Sequence, residues 1–285
     1  MQTPPKLADR TALDRFRARA ARRGHPARFL HEAAASELQE RLNEVNRGFT
    51  RPAIVTGFPD LWADALPGAR IAPDDEALAL EPGAHDLVVH AMALHWSADP
   101  VGQLVQCRRA LVPDGLFLGV FFGGRTLHEL RVSLAEAETR VTGGLSPRVA
   151  PMGEIRDLGG LLQRAGFALP VADAQPLTAS YAGALELMRD LRDMGETNAL
   201  AARHRAPARR ALFVEAARLY AAHFGMTDGR VPATFDLVWL TGWAPAASQP
   251  QPLRPGSAAA RLADALDTVE FDETATPRGV DRKPS

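Results

Sequence analysis

A chain of 285 residues that is 46% hydrophobic and 24% charged holds enough apolar material for one sizeable core and a small appendage, which excludes wholesale disorder. A formal net charge of −1 excludes the global basic field that drives non-specific nucleic-acid binding, so no nucleic-acid partner is expected. The single cysteine, Cys107, excludes an internal disulfide and suits packing in a reducing compartment. No run of eighteen apolar residues suggests a transmembrane segment, and no apolar secretory core opens the chain, so the expected location is cytoplasmic.

Residues 6–28 form a basic arm, with Lys6, Arg10, Arg15, Arg17, Arg19, Arg22, Arg23 and Arg28 against Asp9 and Asp14. Three readings stand in order: a solvated helical face, a contact with an acidic partner or membrane surface, and an organellar transit peptide. From Phe29 to Phe49 the apolar residues Leu30, Ala34, Leu38, Leu42, Val45 and Phe49 recur every three or four positions, which predicts an amphipathic helix. Ala53 to Thr56 then reads as a short buried strand closed by Gly57, and Asp60 to Leu66 as a brief helical piece stopped by Pro67-Gly68. Ala69 to Ala72 is a weak strand candidate ahead of the acidic run Asp74, Asp75, Glu76.

The strongest strand is Asp86 to Met92, whose uncharged centre Leu87-Val88-Val89 fits a parallel strand covered on both faces. A helix over Val101 to Leu111, the turn Pro113-Asp114-Gly115 and the apolar run Leu116 to Phe122 complete a right-handed strand-helix-strand crossover. Thr126 to Arg140 reads as a helix opened by a Thr126/Glu129 capping box. Glu154 to Arg164 is another, burying Ile155, Leu158, Leu161 and Leu162, and is followed by a strand over Phe167 to Val171. Two helical patterns, around Leu185 to Met194 and Leu212 to Tyr220, look like an insertion. Thr234 to Trp243 is a strand apolar on both faces, and a polar tail with one short helical piece at Arg261 to Leu266 ends the chain.

The expected organisation is thus a basic arm and helix over 1–51, a Rossmann-like α/β core over 52–180, and a helical insertion over 181–230. A final core strand over 231–246 and a mostly mobile tail over 247–285 follow. In such doubly wound sheets ligands bind beyond the carboxyl ends of the strands, where strand order reverses. A nucleotide-type cofactor needs a glycine-rich first turn there, because only glycine lets backbone approach the ligand closely. Here that turn is Thr56-Gly57-Phe58-Pro59-Asp60, with one glycine, a bulky Phe58 and a Pro59 that lacks a donor.

Other site candidates have competing bland readings. As an isolated cluster, Asp74, Asp75 and Glu76 make a solvated loop as readily as a ligand contact. His90 at a strand end is a proton shuttle or a histidine bonded to a neighbouring loop. Trp96 reads as a packing anchor with a bonded indole N–H. Gly123-Gly124-Arg125 could hold an anion at a helix N-terminus, against a plain flexible turn. Arg189, Asp190, Arg192 and Asp193 form either a salt-bridged surface or a lid. No metal-ligand spacing, nucleophile elbow or Walker-type loop occurs, and no dehydrogenase-type Gly-x-Gly-x-x-Gly turn.

The segment Asp86-Leu87-Val88-Val89-His90-Ala91-Met92-Ala93-Leu94-His95-Trp96, with Arg108-Arg109-Ala110-Leu111-Val112-Pro113-Asp114-Gly115-Leu116-Phe117, resembles the fourth-to-fifth strand region of class I S-adenosylmethionine (SAM) methyltransferases. Within that superfamily, Gly123 to Arg131, Ser146-Pro147-Arg148, Arg156-Asp157-Leu158-Gly159, Met188 to Arg192 and Gly242-Trp243-Ala244-Pro245 resemble the branch of the mitochondrial respiratory complex I assembly factor. More distant is the malonyl carrier-protein methyltransferase of biotin synthesis. The resemblance runs from about Phe29 to Leu266 and implies SAM as cofactor, with Gly57, Asp74, Asp75, Glu76, His90, Ala91, Met92 and Leu94 at its site. It also implies a protein substrate or complex I subunit as partner, with peripheral membrane contact allowed. The usual ribose-binding acid has no counterpart, because the stretch between Gly57 and Asp74 is one βα unit short. A family member is associated with arginine hydroxylation rather than methylation, so the fold alone leaves the reaction open. The favoured reading is a methyltransferase-family protein acting in complex I assembly; the alternative is a non-catalytic assembly protein that has lost its cofactor.

Overall fold

The computed structural model describes residues 7–24, 26–249 and 268. The described residues up to Ala247 belong to one compact unit. The expected helical piece at Arg261 to Leu266 and most of the tail lie outside the described residues.

The uncharged run becomes β3 (His85–Ala91), buried along its whole length. It is flanked by β1 (Pro52–Thr56) and β4 (Leu111–Gly123), both parallel to it, and β2 (Arg70–Ala72) lies parallel on the far side of β1. Beyond β4 comes an antiparallel pair, β6 (Val231–Trp243) and then β5 (Ala168–Tyr181) at the edge. Among the described residues these six strands form one mixed sheet in the order β2-β1-β3-β4-β6-β5. Only β1 and β2 precede β3, as the short stretch between Gly57 and Asp74 requires. β5 runs much further than the expected Phe167 to Val171. As an edge strand it tolerates Pro170 and Pro176, which would break a central one.

The helices are α1 (Arg10–Arg22), α2 (Phe29–Val45), α3 (Pro59–Trp62), α4 (Pro100–Ala110), α5 (His128–Thr142), α6 (Ile155–Arg164), α7 (Ala184–Met194) and α8 (Arg210–Phe224). Their local signals are those of the sequence in most cases. Asp99 caps α4 by accepting the Gly102 N–H at 2.8 Å, with Pro100 in the first turn, where no donor is needed. α5 differs. Its N-cap is Leu127, held at φ 54°, and the expected capping box does not form. Thr126 Oγ1 instead donates to the Gly123 carbonyl and accepts the Asp236 N–H, while the Glu129 carboxylate takes the Thr234 hydroxyl, so both side chains tie α5 to β6. In α6 only Leu162 is fully buried, and Ile155 stays exposed.

Alternation along the strands builds a core on each face of the sheet. Leu87, Val89, Leu116, Leu118, Leu237 and Trp239 meet α2, α5, α7 and α8, whereas Val88, Phe117, Val238 and Leu240 meet α4 and α6. Cys107 of α4 belongs to the second core, fully buried, and burial pushes its thiol pKa up. The thiol is therefore expected to resist an aromatic disulfide reagent in the native protein and to react within the dead time once denaturant unfolds the chain. Prompt reaction of the native thiol would contradict this packing.

Candidate functional site

Strand order reverses between β1 and β3, so the ligand crevice of such a sheet lies outside their carboxyl ends. The residues expected at the site converge there. Gly57 follows β1, Asp74 follows β2, and Ala91 is the register partner of Thr56 at the end of β3. Met92, the next residue, takes φ 50°, a left-handed conformation unusual for a side chain of its size, while its N–H donates to the Val120 carbonyl at 2.7 Å. Leu94 begins a short 3-10 turn through Trp96.

This crevice is crossed by α1. The helix buries Ala12, Leu13, Arg17 and Ala20, a stripe at spacings of three and four, and its start is stitched down by Asp9 N–H to the Ala199 carbonyl and Ala201 N–H to the Leu7 carbonyl. The basic arm therefore has two faces over residues 10–22: Arg15, Arg19 and Arg22 are solvated, whereas Arg17 is turned into the crevice. Arg17 is 5% exposed, and its Nη1 donates to both carboxylate oxygens of Asp74 at 2.9 Å. Arg10 adds Nη2 to the same carboxylate at 2.9 Å and Nη1 to the Asp74 carbonyl at 2.8 Å. Burial would raise the Asp74 pKa, but the two guanidinium groups outweigh it and hold the carboxyl below its ordinary range.

Arg17 also accounts for Gly57. A Cβ built on Gly57 would stand 2.0 Å from Arg17 Nη1, so any side chain at this position would have to displace the guanidinium lying on it. Phe58 is not the obstruction expected of its bulk. Its ring is buried, T-stacked on His31 with centroids 4.5 Å apart, and sits 4.8 Å beneath the Arg17 guanidinium. Pro59 opens α3, where a missing donor costs nothing.

The other candidates divide. Asp75 and Glu76 are exposed; their carbonyls accept Gln103 Nε2 and Gln106 Nε2, and Asp75 lies 3.4 Å from Arg10. His90 is fully buried and bonds Gln103 Oε1 at 3.0 Å; burial lowers its pKa and keeps the ring neutral. Gly124-Arg125 does receive an anion, but an internal one: Asp236 Oδ2 accepts the Arg125 N–H at 2.7 Å. Of the motif on α7, Asp193 pairs with Arg23 at the end of α1, while Arg189 reaches Glu186 at 3.8 Å.

Two groups missed in the sequence complete the site. Glu196, just past α7, accepts Trp96 Nε1 at 2.7 Å and His95 Nε2 at 3.3 Å through Oε2; its Oε1 is buried with no hydrogen-bond partner. Burial would raise its pKa, but the charges of His95 and Arg17 and the bonds from His95 and Trp96 bring it below the ordinary range, so it is ionised. Glu196 and His95 line a pocket of about 240 Å³ walled by Phe122, Leu130, Met188 and Phe213. Nothing local marks Glu196 in the sequence. Arg17 does carry a signal, because it falls four residues after Leu13 and three before Ala20 on the one apolar stripe of α1.

A SAM-type cofactor would need the Gly57 turn and the acid at Asp74. With α1 docked, the first is covered by Arg17 and the second is saturated by two arginines, so the residues present do not fit that group in this arrangement. Among the described residues no cluster of three or more His, Cys, Asp or Glu could hold a metal, and no helix is long and apolar enough to cross a membrane.

A parallel sheet closed by an antiparallel β5/β6 pair, with its crevice outside β1 and β3, defines a Rossmann-like protein of the class I methyltransferase superfamily. No family model matches the chain. It is 40% identical over 231 residues to arginine-hydroxylase NDUFAF5, mitochondrial, of Danio rerio, covering 80% of this chain and 72% of that one. It is 40% identical over 208 residues to the Homo sapiens protein of the same name, covering 73% and 57%. A malonyl-[acyl-carrier protein] O-methyltransferase of Laribacter hongkongensis is 34% identical over 204 residues, covering 71% and 63%. A solved structure of a methyltransferase-like protein from Bacillus halodurans aligns with TM-score 0.44 and 15% identity over 70% of this chain and 94% of its own. The chain belongs to the NDUFAF5 family. It spans less than three fifths of the human relative's length. The cytoplasmic expectation is overturned by these relatives, which are named mitochondrial.

Because the Asp74 carboxyl is held low in the folded state, its contribution is complete above the unfolded carboxylate range and is lost as pH falls through the lowered value. Asp74→Asn is expected to cost about 3–5 kcal/mol at pH 7 by stranding Arg17, and the gap from wild type should narrow in denaturant melts near pH ~3. Equal stabilities at pH 7 would contradict the buried pair.

Proposed function

We propose that this protein acts on an arginine side chain of a protein partner in the assembly of respiratory complex I. The reading is supported by its place in the NDUFAF5 family, whose members are named arginine-hydroxylases. The observation that carries it is the pocket beneath α5, α7 and α8. Its walls suit the aliphatic stem of a long side chain, and its polar end carries a buried carboxylate oxygen without a hydrogen-bond partner, Glu196 Oε1. An ionised carboxylate oxygen at the end of an apolar channel matches a cationic donor on a long stem, such as a guanidinium. The lining arginine Arg148 is spent on Glu138, and Arg192 is exposed. Arg17 contributes charge to Glu196 but is bonded to Asp74. The family cofactor is SAM.

The test is binding of a fluorescent peptide with one central arginine, against the same peptide carrying citrulline, to the wild-type protein and to Glu196→Gln. The arginine peptide is expected to bind at least tenfold more tightly than the citrulline peptide, and Glu196→Gln should erase most of that preference, as loss of one charge-assisted bond of about 1.5–3 kcal/mol implies. Equal binding of the two peptides would overturn the reading. At the level of pathway, deletion of the gene should lower assembled NADH dehydrogenase on native gels, and normal levels would count against it.

A further inference from the structure

Two pockets lie at the crevice outside β1, β2 and β3 and share lining residues. A space of about 510 Å³ lies over Thr56, Gly57, Pro59 and Asp60, and one of about 960 Å³ lies over Glu76, Ser97, Gln103 and His204. Arg10 and Asp74 line both, so the ion pair between α1 and the β2 loop is the partition. At that place Arg17 rests on Gly57, closer than any added Cβ could stand, and both oxygens of Asp74 are taken.

The seat also carries the wrong charge for a cationic sulfonium. Arg17 is buried and positive, and the one acid within its bonding reach is already used. Nor is the fit complete on the arginine's side: Nε and Nη2 are buried without acceptors. A guanidinium seated with two nitrogens unsatisfied is held less firmly than one whose fork is filled. Around it, α1 is fastened at separate points that can part together, namely Arg203 to Asp9 at 2.9 Å, Arg23 to Asp193, and the packing of Leu13 against Trp96, Ala199 and Leu200.

We infer that α1 is a strap lying in the chain's own cofactor crevice, that docked α1 and an adenosine-type cofactor exclude each other, and that the cofactor enters only when the clasp of Arg10 and Arg17 on Asp74 opens. Gly57 and Asp74 serve the strap when it is closed and are released to a ligand when it lifts. The affinity measured for such a ligand is then its intrinsic affinity multiplied by the fraction of molecules with the strap open.

The experiment uses the full chain and S-adenosylhomocysteine, which binds as the cofactor does but cannot react. Calorimetric titration compares wild type with Arg10→Ala/Arg17→Ala, and hydrogen exchange read by mass spectrometry follows residues 10–22 with and without millimolar ligand. The double variant is expected to bind at least tenfold more tightly than wild type, and any ligand bound by wild type should strip exchange protection from residues 10–22. Ligand bound to wild type with 10–22 still protected overturns the inference. So does a double variant that binds no better than wild type, or no ligand at all, since an open strap would then leave the crevice closed. Should the alanine pair fail to fold, Arg10→Met/Arg17→Met keeps the buried stems and is read in the same way. Peptide binding does not enter either readout, so failure here is separate from failure of the arginine reading.

Discussion

The pairing of Arg17 with Asp74 is the constraint on which the functional end of this protein depends. A buried carboxylate and a buried guanidinium are each costly to remove from water, and each is tolerable here because the other is present. The pair sets the position of α1, and through α1 the positions of the segment 199–203 and of Asp193 at the end of α7. The sheet below does not need it, since its two cores are built from strand alternation alone. The open or closed state of the crevice does.

This separation between scaffold and site explains what could be read in advance. Leu87-Val88-Val89 and Leu116 to Phe122 announce central strands because a strand covered on both faces has to be apolar at every position. The two-faced pattern of Phe235 to Leu240 announces β6 for the same reason. The site residues on those strands, His90, Ala91 and Met92, come into view with them, and so does Gly57 as the turn after β1. The partners of those residues do not. Glu196 meets Trp96 from a hundred positions away, and Arg17 meets Asp74 from fifty-seven, separations at which no periodicity operates.

Two local signals are redirected for the same reason. Thr126 and Glu129 have the spacing of a capping box, but β6 supplies better partners than the helix backbone, and tertiary bonds replace the local ones. Gly123-Gly124-Arg125 has the composition of an anion loop, and the anion is Asp236 of the neighbouring strand β6. In each case the residue types were right for the chemistry, and the identity of the partner lay elsewhere in the chain. The apolar stripe of α1 is the instructive exception, because an arginine set between Leu13 and Ala20 must be buried if the helix docks at all.

The edges of the sheet carry a consequence for how a partner can be held. β2 is three residues long, and β5 is interrupted by two prolines that offer no amide to a neighbour. Both features blunt a sheet margin against pairing with an extended polypeptide. The grip proposed for a protein client, on one projecting side chain, makes no demand on those margins and leaves most of the client's backbone free to continue folding into a larger assembly.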